Sequence, residues 1–299
     1  MVNFNKQPLN IIKGSNFSIN NFGIENSDNI DSKVIESFGD EWEKFYKFSD
    51  AEIESIGDEY FGFLSKEILN ENTTVLDVGC GTGRWSKYLS SKVKSIEAID
   101  PSKAIFYADK LLHNVDNVRL SITTADKIPF DNESFDFVMS VGVLHHIPDT
   151  QQAIIDCVSK VKKGGYFYVY LYYALDNKGI LYKALFQFVN LVRLIVSRMP
   201  SKLKKITCDV LAVTFYMPLI LLGRLLSKIG LSKMAKSLPL NEYQNRTFFV
   251  IRNDSLDRFG TVLEQRFSKI QIKNMLEKAG LTDIVIPNEP IHWAAIGKK

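Results

Sequence analysis

Three carboxylates stand where three successive runs of strand character end or turn: Asp77, Asp100 and Asp126. Asp77 lies inside the apolar run Val75–Val78, two residues before Gly79. A carboxylate there can receive an ammonium group, directly or through water. Asp100 closes the run SIEAI (Ser95–Ile99), a position from which a carboxylate can accept both hydroxyls of a ribose. Asp126 sits in the turn ADKIPF, where its side chain can accept from an adenine N6 amine. The backbone at Ala125 and Lys127, with Ile128 alongside, completes a slot for such a ring. Between the first two acids, glycines recur at alternate positions, Gly79, Gly81 and Gly83, with Cys80 as a small residue in the turn. Arg84–Leu89 then reads as the start of a helix. A strand, a tight glycine turn and a helix N-terminus bring backbone N–H groups close to a ligand, because glycine has no Cβ and tolerates φ > 0. The spacing is GxGxG, not the GxGxxG of the dinucleotide fingerprint, and a dinucleotide has no ammonium for Asp77. The acids together ask for one ligand carrying an ammonium, a ribose and an adenine.

A second group could move a proton. His145 and His146 follow the fourth strand, at the mouth of any site built at the strand ends, and a neutral imidazole is a suitable general base near pH 7. The competing reading has the pair opening the next helix, one ring packed and one solvated. Tyr172, Tyr173 and Asp176 follow the fifth strand and are candidates for an acceptor pocket. The remaining histidines, His113 and His292, and the cysteines Cys80, Cys157 and Cys208 are scattered. They suit neither a disulfide framework nor a metal centre, and the expectation is no metal and a reducing compartment.

The elements that must position these groups alternate. Strands are expected at Val75–Val78, Ser95–Ile99, Val118–Ile122, Phe135–Val141 and Tyr166–Tyr172, with helices at Gly83–Leu89, Lys103–Leu112 and Gln151–Val161. The turn Lys162–Gly165 is expected to cap the last of these helices. After a break, a helix over Ser268–Ala279 precedes two closing strands, Thr282–Ile286 and His292–Ile296. Strands alternating with helices of this length predict an α/β, Rossmann-like doubly wound sheet covered on both faces, with ligands beyond the strand C-termini.

With these residues in view, the segments VLDVGCGTGRWS, IEAIDPS, ADKIPFDNESFDFVMSVGVLHHIPD and KKGGYFYV resemble the class I S-adenosylmethionine-dependent methyltransferases of the broad type 11 group. The resemblance covers Thr73 to Tyr172 closely and AGLTDIVI more loosely. It implies a sheet of seven strands with the last antiparallel, and S-adenosylmethionine as cofactor. It carries cofactor contacts onto Asp77, Gly79, Gly81, Asp100, Pro101, Ser102, Asp126 and the loop Ser140, Val141, Gly142 and Val143. It implies no particular substrate.

Around this core the chain divides into 1–69, 70–175, 176–245 and 246–299. Residues 1–30 are polar and Asn-rich, expected as a loosely attached arm without a signal peptide. Ser32 to Leu69 turns helical: Phe38, Trp42, Phe45 and Tyr46, then Ile53, Ile56, Tyr60, Phe61 and Leu64, fall at helical spacing. They read as packing or, around Trp42, as a lid over the cofactor. Residues 176–245 are the helical insertion after strand five. Between Asp176 and Lys236 there are eleven Lys/Arg against two Asp/Glu, a net of +9, so the remainder of this +3 chain carries −6. Val210–Gly223 is an uncharged apolar run whose helix, roughly 21 Å long and interrupted by Pro218, is too short to span a bilayer. The insertion is therefore expected as an apolar cap or as a helical pair on an anionic membrane surface. Nucleic acid is disfavoured because no RNA-binding module accompanies the charge. Tyr243, Asn245, Arg246, Asp257 and Arg258 are further candidate substrate contacts, or else a salt-bridged loop.

The expected function is transfer of a methyl group from S-adenosylmethionine to an O or N atom of a small or lipid-linked acceptor, such as a glycan intermediate or an isoprenoid. The expected place is cytoplasmic, or peripheral at the inner membrane face. The alternatives are a cofactor-binding or membrane-docking module without turnover and, further off, an NAD-dependent oxidoreductase.

Overall fold

The structure, a computed structural model, describes residues 1–44, 48–174, 179–287 and 294–299; side chains at 40–44 and 181 lie outside that description. The Trp42 side chain, Phe45, Tyr46, Asp176 and His292, all read in the sequence, fall outside it. The chain forms two compact units, Met1–Asn177 with Leu263–Lys299, and Lys178–Val262.

The first unit opens with a hairpin, β1 (Asn10–Lys13) and β2 (Ser18–Asn21), followed by α1 (Ser32–Lys44) and α2 (Asp50–Phe61). The alternating part runs β3 (Thr74–Val78), α3 (Arg84–Ser90), β4 (Ser95–Ile99), α4 (Ile105–Leu111), β5 (Val118–Ile122) and β6 (Phe135–Val141). It continues through α5 (Thr150–Ser159) to β7 (Val161–Tyr170). After the second unit, α11 (Lys269–Lys278), β8 (Thr282–Val285) and β9 (Ala294–Lys298) complete the sheet. Its order is β1-β2-β5-β4-β3-β6-β7-β9-β8. β5, β4, β3, β6 and β7 are parallel, and β9 enters antiparallel to β7. Chain order reverses at β3, so the topological switch point lies between β3 and β6.

The expected α/β doubly wound class holds, but the sheet has nine strands rather than seven. Residues 1–30 are not a loose arm: Asn20 and Asn21 pair with Ser121 and Ile122 of β5. Phe4 packs on Phe22 and Phe130, with the Arg119 guanidinium 3.9 Å over its ring. The alternation of Ile19 (buried) with polar neighbours is a strand period too short to stand out among asparagines. The Lys162–Gly165 turn is also not a helix cap. It is a bulge within β7, whose pairing slips between Phe135–Val161 and Phe137–Tyr166, with Gly164 at φ 81°.

Burial on both sheet faces explains the apolar runs: Leu76, Val138, Phe167 and Val169 are buried and join Ile154 of α5 and Ile272 of α11 in one core. On the opposite face α2 lies on α3. Gly57 makes that contact, since a Cβ there would come within 2.2 Å of the Tyr88 ring.

The second unit holds α6 (Ile180–Val196), α7 (Ser201–Leu211), α8 (Met217–Lys228), α9 (Ser232–Ser237) and α10 (Phe248–Gly260). It extends past the expected boundary at 245 because α10 packs on α6 and α7. Pro218 does not break the helix either. A π-helical segment, Ala212–Tyr216, joins α7 to α8, and Pro218 falls in the first turn of α8. The wider π turn gives the proline ring room where an α-helical carbonyl would clash. The result is one helical stretch of 28 residues, Ser201–Lys228, long and apolar enough to cross a membrane by length and composition.

Candidate functional site

The glycine turn after β3 is shaped by the chain's own packing. Gly79 (φ 77°), Gly81 (φ 55°) and Gly83 (φ 79°) are all left-handed. A Cβ on Gly79 would stand 2.6 Å from Val143, and one on Gly83 would stand 2.9 Å from Leu112. Two of the three glycines are thus required by neighbouring side chains as well as by backbone conformation. Cys80 is buried in the turn, and burial pushes its thiol well above the usual range, so it is an inert filler.

Asp77 is 1 % exposed. Ser86 Oγ donates to its Oδ2 at 2.7 Å, while Oδ1, equally buried, has no hydrogen-bond partner among the described residues. Burial pushes this carboxyl up to about 7 in spite of the Ser86 bond. Thr82 Oγ1, in the same loop, is a second buried atom without a described partner. Asp100 is fixed from both sides: Oδ1 accepts from Ser102 N (2.8 Å) and Ser102 Oγ (2.6 Å), and Oδ2 accepts from Gly81 N (2.9 Å). Ser102 therefore orients the acid, and Pro101 between them is half-buried. Burial raises Asp100 despite these bonds.

Asp126 has a neighbour that the sequence reading missed. Ser27 Oγ donates to Oδ1 at 2.6 Å and the Asp28 N–H to Oδ2 at 3.2 Å. Burial alone would raise this carboxyl, but those bonds hold it below its ordinary range. The arm is pinned again by Asn29, which exchanges hydrogen bonds with the backbone of Asp149. Ala125 and Ile128 are buried beside the acid and Lys127 is half-buried. Ser140 turns inward, its hydroxyl donating to Val78 O at 2.8 Å, so it ties β6 to β3. Val141 is buried, and Gly142 (φ 78°) donates its N–H to Tyr170 O.

The two histidines, equivalent in the sequence, differ in the structure. His145 is wholly buried with its ring stacked on Tyr172 (centroids 3.9 Å apart). Neither of its nitrogens has a hydrogen-bond partner among the described residues. Burial, then His146 and Arg266, holds its pKa well below the usual value, so it is a neutral ring. His146 Nδ1 lies 2.7 Å from Leu263 O. An oxygen acceptor there requires the proton on Nδ1, which leaves Nε2 as the basic nitrogen. Phe38 of α1 packs edge-on against the His146 ring (4.9 Å).

Two features of this region escaped the sequence reading. One is a strap, Leu263–Phe267. Gln265 N–H donates to His145 O and its side-chain amide to Ile147 O (2.7 Å), while Phe267 N–H donates to Tyr172 O. Arg266 stacks over Tyr172 (5.1 Å) and is paired with the buried Glu264 carboxylate at 2.7 Å. Arg246, the predicted contact, lies instead in the second unit, where its carbonyl accepts from Arg224. The other is an aromatic wall: Tyr60 of α2 meets Trp85 (4.8 Å) and Tyr170 (5.3 Å), and Tyr170 meets Tyr172 (6.1 Å). Its signal was present in YFYVYLY, where alternate tyrosines share one face of the strand. Tyr173 is half-buried and its carbonyl accepts from Arg266.

Residues 76–169 match the family model for a methyltransferase domain. Over 109 residues the chain is 29% identical to the uncharacterized methyltransferase YcgJ of Bacillus subtilis, covering 34% of this chain and 42% of that one. It is 27% identical over 107 residues to a ubiquinone biosynthesis O-methyltransferase of Coxiella burnetii (34% and 45% covered). It is 32% identical over 95 residues to the phthiotriol/phenolphthiotriol dimycocerosates methyltransferase of Mycobacterium tuberculosis (31% and 35% covered). The chain thus spans under half the length of each of these relatives. An S-adenosylmethionine ammonium suits the partnerless buried oxygen of Asp77 and would hold that carboxylate charged, so the residues present fit the cofactor. The segment matched here, with its strand-end acids and its switch point between β3 and β6, is a class I methyltransferase domain whose cofactor is S-adenosylmethionine.

Proposed function

We propose that this chain methylates an oxygen or nitrogen atom of a small or lipid-linked acceptor with an apolar or aromatic body, and that His146 takes the acceptor's proton. The cofactor supplies an electrophilic methyl on a sulfonium, so the protein's share is alignment, desolvation and proton removal. Asp77 and Asp100 hold the ammonium and ribose, and Asp126 with Ala125, Lys127 and Ile128 forms the adenine slot under Ser27. The half-buried Tyr60, Tyr170 and Tyr172, with Trp85 packed behind Tyr60, offer an aromatic surface to the acceptor body. His145 stays neutral and supports His146 and Tyr172 rather than titrating itself.

The observation that carries this reading is the half-buried aromatic wall that reaches the histidine pair beyond the C-terminal ends of β6 and β7. The relatives named for ubiquinone biosynthesis and for phthiotriol dimycocerosates support an apolar acceptor without fixing it. The reading is tested by labelling lysate of cells lacking the protein with tritiated S-adenosylmethionine and the purified chain. Label should enter an organic-extractable species, and His146→Ala should lower the turnover roughly 10²- to 10⁴-fold while leaving cofactor affinity unchanged. Stoichiometric cofactor binding with no labelled product in any fraction would instead favour a binding module without turnover.

A further inference from the structure

The second unit leaves an unusual share of its large apolar side chains outside its core. Its core is small and apolar, with Val196, Ile220, Ile251, Leu256 and Phe259 buried, and is tied together by hydrogen bonds from arginines and hydroxyls. The Arg193 guanidinium, 7 % exposed, donates to Thr261 O (2.9 Å) and Val262 O (3.1 Å). Arg252 forks onto both oxygens of Asp209 (2.9 and 2.7 Å). Tyr216 donates to Asp254, and the buried Ser255 to Cys208 O. Outside lie large apolar side chains at helical spacing. On α6, Ile180, Phe188, Leu191 and Ile195 are all more than half exposed. On the α7–α8 stretch, Ile206, Val210, Val213, Leu221 and Leu225 are likewise, while Cys208, Ala212, Tyr216 and Ile220 form the buried face. Exposed apolar stripes of this extent on two helices mark an interaction surface.

We propose that the outer faces of α6 and α7–α8 dock on a lipid bilayer bearing anionic headgroups, lying in its interface rather than crossing it. Charge selects the occupant. From Lys178 to Lys236 there are eleven Lys/Arg and a single acid, Asp209, which is already held by Arg252. Lys202 stands at one end of the long helix and Lys228, Lys233 and Lys236 at the other, all exposed. Lysines so placed reach phosphate headgroups while their stems and the apolar stripe enter the acyl boundary. A second copy of this chain would bring the same positive charge against itself. Crossing is opposed by α10, which packs along α7 with Arg252, Asp254 and Arg258; these would have to enter hydrocarbon with the helix. The helix is long enough to span, at roughly 42 Å, but the charged side chains of α10 packed along it oppose crossing.

This inference stands apart from methyl transfer and is read separately. The full chain is sedimented with vesicles of phosphatidylcholine alone and of phosphatidylcholine mixed with phosphatidylglycerol, with S-adenosylmethionine affinity measured in parallel as a check on folding. Binding should appear on the anionic vesicles and weaken as salt is raised. The variant Lys202→Gln/Lys228→Gln/Lys233→Gln/Lys236→Gln should lower the partition constant about six-hundredfold, at about fivefold per lysine. Phe188→Asp/Leu221→Asp should abolish partition with cofactor affinity intact. Wild-type chain left in the supernatant of both vesicle types would overturn the proposal. So would a quadruple variant that binds like wild type, or a mass doubling that Phe188→Asp/Leu221→Asp removes without any vesicle binding.

Discussion

The two units differ in what they leave unfinished. In the first, Phe167, Leu76 and Val138 are buried between sheet and helices, Glu97 and Asp109 are met by the chain itself, and Asp77 near the end of β3 keeps one oxygen without a described partner. In the second, Ile251, Leu256 and Phe259 are buried with Arg193 among them, yet Phe188, Phe215 and Leu225 stand outside. A buried polar atom without a partner costs free energy, and a large apolar surface left in water does too. The Asp77 oxygen left incomplete in the first unit is therefore a place to look for a small ligand. The apolar surface left uncovered in the second is a place to look for a large one.

Substitutions of similar size should separate the two units. Phe167→Ala should cost about 3–5 kcal/mol of stability, because it opens a cavity in a packed core. Guanidinium denaturation would read this as a lower midpoint. Next in size is the pH response of Asp77. Its carboxyl binds a proton more tightly in the fold (about 7) than in the unfolded chain (3.8). The unfolded state thus holds fewer protons between those values, and stability falls as pH rises through that window, by at most about 4 kcal/mol. Thermal melts from pH 5 to 8 should show this decline for the cofactor-free protein, and Asp77→Asn should flatten it. Arg193→Ala should then cost about 2–3 kcal/mol, by leaving the carbonyls of Thr261 and Val262 unmet. The smallest change belongs to Phe215→Ala, 54% exposed, which should stay within about 0.5 kcal/mol. A large loss there, with none at Arg193, would erase the contrast.

The legible parts of the molecule were those where local chemistry and fold agree. Asp77, Gly79 and Asp100 announce a strand–turn–helix and a ligand together, and β3 to β7 follow from runs buried on both faces. What stayed hidden depended on partners far along the chain. The hairpin β1–β2 is Asn-rich and gains its place only by pairing with β5, where the Asn20 amide reaches Leu120 O, 100 residues further along the chain. Ser27 reaches Asp126 across a gap no local pattern reports, and the Leu263–Phe267 strap returns to His145 and Tyr172 only after the whole second unit. His145 and His146 could not be ranked from adjacency, since the difference lies in Leu263 O and the Tyr172 ring. Pro218 was misread because the π segment that accommodates it has no sequence signature of its own.

The central claim is that the strand-end acids hold S-adenosylmethionine, and isothermal titration tests it most directly. The wild-type chain should bind the cofactor one to one, and Asp100→Ala should weaken that binding by about ten- to a hundredfold, the worth of a charge-assisted hydrogen bond. A wild-type chain with no affinity for S-adenosylmethionine, or with a higher affinity for NAD, would contradict the account.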